Sequence, residues 1–265
     1  MKLVPSKDMK IELLPGQEAD LCTKETIREI FAKDDKGECL AFDIYEEDDL
    51  IGFAMFCQQS PGLFFLWNYA IDAKYQNKGL GAKALREVLD HMTANYEVKA
   101  FTTTYTWGNE HAKRLYEKLG FIETDVVEEE DFKEVNMILG VDPQALYELA
   151  MQYIYGDGVE EDNEWAACLL NNAHLLGCVE ATYNLGICYH HGYGVEADLG
   201  KAFELYLSAA ERGYGKGMEL VGRFYNQGIY VDRDREQAEV WLRKALESGD
   251  PEAAKEAEKE LENNS

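Results

Sequence analysis

The sequence predicts two domains of different fold class: an α/β domain with a mixed sheet over residues 1–140, and an all-α solenoid of helical hairpin repeats over residues 143–265. The first prediction rests on short apolar and aromatic segments that alternate with amphipathic helical ones. The second rests on a sequence period of 36 residues that starts near Gln144. Asp142 and Pro143 supply a helix cap and a first-turn proline, so the boundary is expected just before them.

The elements of the first domain follow from the spacing of its apolar residues. Residues 23–33 and 81–92 have the period of amphipathic helices, and residues 111–119 form a third helix that ends at Gly120. Six segments have the length and composition of strands: residues 39–45, 50–58, 63–71, 98–106, 121–127 and 133–139. The acidic residues 46–49 join the first two of these strands, which predicts a hairpin.

In the second domain, seven columns of residues recur with the 36-residue spacing, which does not arise by chance. Three columns place the helix ends: Gly156, Gly192 and Gly228; Asp162, Asp198 and Asp234; Gly177, Gly213 and Gly249. In each unit the first glycine ends one helix, the aspartate caps a second helix, and the last glycine ends it. Small residues at Ala145, Ala181 and Gly217 allow neighbouring helices to approach closely.

These columns define three units, residues 144–179, 180–215 and 216–251, followed by a charged capping helix over residues 251–262. The third unit departs from the pattern, because Tyr230 replaces the second glycine of its turn.

Charge and cysteine content limit the classes of partner and the compartment. The chain has 51 acidic and 26 basic residues, a net charge of −25 that opposes binding to nucleic acid or anionic membranes. It favours cationic ligands or serves solubility alone. The longest apolar stretch, residues 50–57, is shorter than a membrane span, and the N-terminus does not resemble a secretory signal. The six scattered cysteines therefore indicate reduced thiols and a cytoplasmic protein. At a helix end, His190 and His191 are expected to be cationic, and no metal site is predicted.

A glycine-containing loop carries the first chemical signal. Residues 76–82 follow a strand, precede a helix, and read Gln-Asn-Lys-Gly-Leu-Gly-Ala. Glycines there let successive amide groups converge at the positive end of the helix, which makes an anion site suited to a pyrophosphate, and Lys78 adds positive charge. No Lys–Ser/Thr pair follows, so the loop is not a Walker A motif. As a dinucleotide-binding motif it lacks the acidic residue at the end of the next strand.

A second signal follows about thirty residues later, where residues 109–121 read Asn-Glu-His-Ala-Lys-Arg-Leu-Tyr-Glu-Lys-Leu-Gly-Phe. Together, the Gln76-x-x-Gly79-x-Gly81 loop and this segment resemble the GNAT N-acetyltransferase family, and the resemblance covers residues 36–140. The 36-residue units resemble Sel1-like repeats, short relatives of the tetratricopeptide repeat. Such arrays are generally scaffolds for protein interaction, so the resemblance implies a protein partner on the repeats.

The first resemblance implies acetyl-CoA as co-substrate and assigns its contacts. The pyrophosphate would lie on the loop, at Gln76, Asn77, Lys78, Gly79, Leu80, Gly81 and Ala82. The pantetheine arm would follow the strand edge at Tyr69, Ala70 and Ile71, where a main-chain N–H would stabilise the oxyanion. Asn109 would hydrogen-bond the arm. Tyr116 would be the general acid that protonates the departing thiolate; its alternative role is to fill the core.

The general base and the acceptor remain open. Several family members have a glutamate on the strand before the loop, where this chain has Phe65. A water chain or Glu134 is therefore left as the base, and the alternative role of Glu134 is that of a solvated strand residue. The closest resemblance is to the bacterial spermidine/diamine acetyltransferase branch, which implies a primary amine such as a polyamine, although Asn68 stands where that branch often has arginine. The acidic residues 128–131 either attract a polycation or form a solvated loop. The alternatives are acetylation of a basic peptide, at a protein lysine or N-terminus docked on the repeats, and a non-catalytic acyl-CoA-binding scaffold.

Overall fold

The computed structural model describes residues 1–15, 17, 23–129 and 132–262. It contains two compact units, Met1–Val141 and a unit that begins at Asp142. The first unit is a mixed sheet with helices on both faces, and the second consists of helical hairpins, so the predicted fold class is confirmed. Among the described residues, no helix combines the length and the apolar character that crossing a bilayer requires.

The first unit contains a seven-stranded sheet. Its strands are β1 (Lys2–Ser6), β2 (Cys39–Glu46), β3 (Asp49–Ser60), β4 (Leu63–Ile71), β5 (Ala100–Thr106), β6 (Ile122–Glu128) and β7 (Lys133–Gly140), and its helices are α1 (Lys24–Lys33), α2 (Leu80–Asn95) and α3 (Glu110–Leu119). The spatial order is β1-β2-β3-β4-β5-β7-β6, and every pair is antiparallel except β4 with β5. The six predicted strands are present within two residues of the expected bounds, whereas the edge strand β1 was not predicted.

Alternation along the strands gives the sheet two apolar faces. On one face, Phe42, Phe56 and Phe101 pack with residues of α2 and α3, including Leu85 and Tyr116. On the other face, Met9, Ile11, Phe53 and Met55 pack with Ile27 of α1. The larger cluster therefore fixes α2 and α3 against β4 and β5, the strands that flank the candidate site.

The cysteine prediction is wrong at one pair. Cys39 and Cys57 are register partners on β2 and β3 and form a disulfide. They are 18 residues apart and belong to no short motif, so only the strand register brings them together. Cys168, Cys178 and Cys188 form no disulfide within the described part of the chain, and Cys22 lies outside it.

The second unit consists of seven helices among the described residues. They are α4 (Pro143–Tyr155), α5 (Asn163–Leu175), α6 (Val179–His191), α7 (Leu199–Glu211), α8 (Gly215–Gln227), α9 (Arg235–Glu247) and α10 (Pro251–Glu262). The first helices of the three hairpins, α4, α6 and α8, start 36 residues apart. The side chains of Asp162, Asp198 and Asp234 accept from first-turn amides, so the predicted caps are confirmed.

Two positions in the repeats depart from simple expectation. Tyr230 keeps the left-handed backbone of the glycine that it replaces, with φ +64°. Its ring lies against Gly200, where a Cβ atom would come within 2.9 Å of the ring, so the small residue there makes room for it. The expected cation is wrong at His190, because burial and the neighbouring His191 lower its pKa and favour the neutral ring.

Candidate active site

The two parallel strands at the centre of the sheet separate along their length. β4 pairs with β5 only from Leu63 to Phe65, opposite Ala100 to Thr102. Beyond that point β5 stays paired with β7, and β4 stays paired with β3 alone. Within the described part of the chain, no strand therefore covers this edge of β4 from Leu66 to Ile71. The main-chain oxygens of Leu66 and Ile71, at the two ends of this edge, accept from side chains of Thr103 and Gln76, and the main-chain groups between them on this side can meet an extended ligand.

A bulge in β4 lies at the start of this opening. Met55 pairs with Asn68 and Phe56 pairs with Leu66, so Trp67 is the extra residue. A bulge bends its strand and increases the local twist, which turns β4 away from its neighbour. The Trp67 side chain is 46% exposed, and its ring meets the Phe65 ring edge-on at 5.6 Å.

The predicted arm-binding residues occupy the open part of β4. The Tyr69 side chain is buried among core residues, and its hydroxyl donates to the main-chain oxygen of Gly81 at 2.6 Å. Burial raises the pKa of this phenol, so it stays a neutral donor. Tyr69 thus ties β4 to the first turn of α2. The main-chain oxygen of Ile71 accepts from the Gln76 side chain, whereas that of Ala70 lies beside Gly52 on the β3 side of the strand.

The predicted anion loop ends at a helix terminus without a side-chain cap. The N-caps of α1 and α3, Thr23 and Asn109, accept from first-turn amides, but Gly79 of α2 has no side chain to do so. The first amides of a helix have no intrahelical acceptor. The amides of Leu80, Gly81 and Ala82 therefore suit an external anion, and the positive end of the helix dipole adds to this.

The residues before α2 shape the loop. Asn77 and Gly79 both have left-handed backbones, with φ +58° and +75°. The Gln76 side chain donates to the main-chain oxygen of Ile71 at 2.8 Å and fastens the loop to β4. The Lys78 ammonium lies 4.9 Å from the centre of the Tyr75 ring, on the exposed side of the loop. The loop is thus held by its side chains while its main chain stays exposed.

Tyr116 lies where α3 meets the opening. It is 9% exposed, its ring packs against Phe121 at 5.5 Å, and a hydrogen bond joins its hydroxyl to that of Thr103 on β5. The Thr103 hydroxyl in turn lies 3.2 Å from the main-chain oxygen of Leu66, where β4 and β5 separate. Burial raises the pKa of Tyr116 and keeps the phenol protonated. Its position therefore permits both the core-filling role and proton donation into the opening.

Asn109 was predicted from the sequence as a site residue, whereas Thr103 was not. Asn109 is the N-cap of α3, and its Oδ1 accepts from the Ala112 amide at 3.1 Å, so it has a structural role besides the predicted contact. Thr103 was not singled out. The signal for it was the run of three threonines in β5, which places one hydroxyl toward the apolar face between Phe101 and Tyr105.

Polar side chains line the sheet face on the other side of the opening. Thr104 and Thr106 of β5 are register partners of Asn136 and Glu134 on β7, and they alternate with the core residues of those strands. Glu134, half-buried, is the carboxylate on this strip. In the acidic loop, Glu128 forms an ion pair with Lys133 at 2.7 Å; Glu130 and Asp131 lie outside the described residues.

Comparison with known protein families gives a match for each of the two units. Residues 9–121 match the model of the Acetyltransferase (GNAT) family. Residues 143–166, 179–214 and 215–250 match the Sel1 repeat. The chain contains a GNAT domain followed by Sel1 repeats. The match starts at residue 9, so it begins before residues 36–140, the range that the sequence resemblance covers.

Two curated relatives resemble the GNAT domain. Over 85 residues, 29% of this chain and 56% of the relative, it is 36% identical to a spermine/spermidine N(1)-acetyltransferase of Bacillus subtilis. Over 97 residues, 34% of this chain and 55% of the relative, it is 31% identical to an L-2,4-diaminobutyric acid acetyltransferase of Wolinella succinogenes. The chain thus spans about half the length of each. Among solved structures, a Sel1 repeat protein from Oxalobacter formigenes is 28% identical, with a TM-score of 0.41 over 42% of this chain and 46% of that one.

Proposed function

We propose that the GNAT domain transfers the acetyl group of acetyl-CoA to a primary amine, with a polyamine or other diamine as acceptor. One observation carries the proposal: the uncovered edge of β4 runs toward the uncapped N-terminus of α2, with Tyr116 beside the opening. An extended thioester-bearing arm and a pyrophosphate need this combination of main-chain edge and helix terminus. The names of the two curated relatives support an amine with a second charged group.

The residues would act together in one acyl transfer. The amides of Leu80, Gly81 and Ala82 would hold the pyrophosphate, and the β4 edge would hold the arm and polarise the thioester carbonyl. The amine nitrogen forms the new C–N bond, the C–S bond breaks, and the thiolate takes a proton from Tyr116. The amine proton leaves through water or through Glu134, which stands on the polar strip.

The experiment is a turnover assay on the full chain. Release of the CoA thiol is measured with spermidine, spermine, 2,4-diaminobutyrate, a lysine-containing peptide and a simple monoamine. We expect diamines and polyamines to exceed the monoamine in kcat/KM. Binding of acetyl-CoA without thiol release for any amine would contradict the proposal and favour a scaffold. A Glu134→Gln variant tests the base, because it keeps the size of the side chain and removes the group that would accept the amine proton; an unchanged kcat would leave the water route.

The proposal also covers the role of the repeats and the cellular location of the protein. We propose that the Sel1 repeats bind a protein partner and that the protein acts in the cytoplasm. The Cys39–Cys57 disulfide is the feature that bears on this location, because a reducing compartment keeps most cysteines as thiols. Alkylation of the protein in freshly opened cells, followed by mass measurement, reports the state of the pair; a fully oxidised pair would contradict the proposed location.

A further inference from the structure

The basic residues of the repeat unit are distributed unevenly. Residues 142–200 hold ten carboxylates and no lysine or arginine, whereas residues 201–262 hold 14 carboxylates and ten basic residues. The first one and a half repeats therefore carry a net charge of −10, against −4 for residues 201–262. A surface that needed charge only for solubility would show both signs interspersed, as the second half does. The first half is thus an electrostatic surface of one sign.

Three tyrosines and a glutamate meet along the first helices of the three hairpins, on α4, on α6 and at the start of α8. Tyr147 of α4 shares a hydrogen bond with Asn184 of α6 and lies near Glu180. The Tyr183 ring lies 5.2 Å from the ring of Tyr214, the N-cap of α8. Tyr214 also interacts with Tyr147 and Glu180, so successive units contribute to one cluster. We call Tyr147, Tyr183, Tyr214 and Glu180 the tyrosine–glutamate face.

The face is accessible, and the cations nearest to it are already paired. All four of its residues are half-buried, so each keeps part of its surface accessible to a partner. Lys216 pairs with Glu252 at 2.5 Å, and Arg223 pairs with Glu219 at 2.5 Å. Aromatic rings attract ammonium and guanidinium groups through their π electrons, and a carboxylate adds charge-assisted hydrogen bonds. The face has the chemistry that holds a lysine or arginine side chain.

We infer that the tyrosine–glutamate face docks a basic, lysine- and arginine-containing segment of another protein. The net negative charge of residues 142–200 steers that segment toward the repeats, and the rings and Glu180 then hold its cationic side chains. The inference rests on the interaction role proposed for the repeats and names the partner's chemistry. It does not depend on acetyl transfer by the GNAT domain.

Fluorescence anisotropy of the full chain tests this inference with two labelled dodecapeptides, (Lys-Gly-Arg-Ser)3 and (Glu-Gly-Asp-Ser)3. The basic peptide should bind, more weakly at 200 mM salt than at 50 mM, and the acidic one should not. Glu180→Gln should weaken binding about fivefold. Glu164→Gln is the matched control, because it removes the same charge from the first turn of another helix in the acidic half, and it should change binding less than twofold.

Two further readouts keep the outcome decisive. Tyr147→Leu should also weaken binding of the basic peptide. Tyr147→Phe keeps the ring and should retain most of the affinity, and it replaces Tyr147→Leu as the test variant where the leucine variant does not fold. Equal losses for Glu180→Gln and Glu164→Gln would show a response to net charge alone and overturn the inference, as would equal binding of both peptides. Amine turnover is measured on the same samples, so turnover without peptide binding overturns this inference alone. Peptide binding without turnover overturns only the proposed acetyl transfer.

Discussion

At the residue scale, Tyr116 packs in the core and is also the candidate general acid. Its ring belongs to the core, but its hydroxyl reaches Thr103 at the point where β4 and β5 separate. Substitution by phenylalanine keeps the ring and removes only the proton, so it separates the two roles. The raised pKa means that the phenol stays protonated across neutral pH, and its ionisation should not lower activity below about pH 10.

Tyr116→Phe should therefore lower kcat on the order of 10²-fold while the Kd of acetyl-CoA changes little, because the lost interaction forms mainly in the transition state. Steady-state kinetics and calorimetric affinity measure the two quantities. Tyr105→Phe is the matched control: it removes a hydroxyl that donates to Glu123 at 2.6 Å on the same sheet face. A kcat equal to wild type in Tyr116→Phe, with chemistry rate-limiting, would leave Tyr116 a core residue.

The two loop glycines should respond differently to substitution. A Cβ at Gly81 would lie 4.0 Å from Ile71 and needs no unusual backbone, so Gly81→Val should fold normally yet crowd the first-turn amides. We expect its Kd for acetyl-CoA to rise at least about tenfold, roughly 1.4 kcal/mol, with little change in Tm. A Cβ at Gly79 would meet no atom within 4 Å, but this residue has φ +75°. Gly79→Ala should therefore lower the free energy of unfolding by about 1 kcal/mol. Unchanged affinity in a folded Gly81→Val protein would place the pyrophosphate elsewhere.

At the element scale, the sequence predicted what depends on local pattern. Apolar alternation located six strands, and the aspartate and glycine columns located the repeat helices. The separation of β4 from β5, the Trp67 bulge and the Cys39–Cys57 pairing depend on register between strands, which no local pattern encodes. The glycine loop was identifiable because its residues adjoin in sequence. The Tyr116–Thr103 contact was not, since it joins a helix to a strand through tertiary packing.

Contacts between successive repeats should depend on a single glycine in a turn. A Cβ at Gly194 would lie 1.9 Å from the main-chain oxygen of Asn163, in the preceding unit, and the residue has φ +68°. Gly213 has φ +92° but no atom within 4 Å of a Cβ. Gly213→Ala should cost about 1 kcal/mol and Gly194→Ala at least about 2 kcal/mol more. Chemical denaturation of both variants measures this; equal costs would mean that the close approach at Gly194 is easily relieved.

At the scale of the whole molecule, the repeat unit is a stack in which each hairpin covers the next. Its helices restart every 36 residues, and its core is continuous from Phe203 and Tyr206 to Phe224 across neighbouring hairpins. Deleting residues 180–215 removes one period and joins equivalent positions, so the shorter stack should fold cooperatively. Deleting half a period, residues 180–197, should expose apolar surface, lower Tm further and increase dye binding. Equal losses in calorimetry for the two deletions would mean that the hairpin pair is not the structural unit.

The stretch without basic residues also governs how the chain meets a protease. Trypsin cleaves after lysine or arginine, and none occurs between Lys133 and Lys201, so a complete digest leaves residues 134–201 as one 68-residue fragment. The junction between the two compact units, at Val141 and Asp142, lies inside that fragment. Trypsin therefore cannot separate the units at their junction however accessible it is, and amine-directed labels find no lysine in the first repeat. A protease specific for aspartate has a site at Asp142, the first residue of the second unit, and is therefore the reagent that can separate the units at their junction.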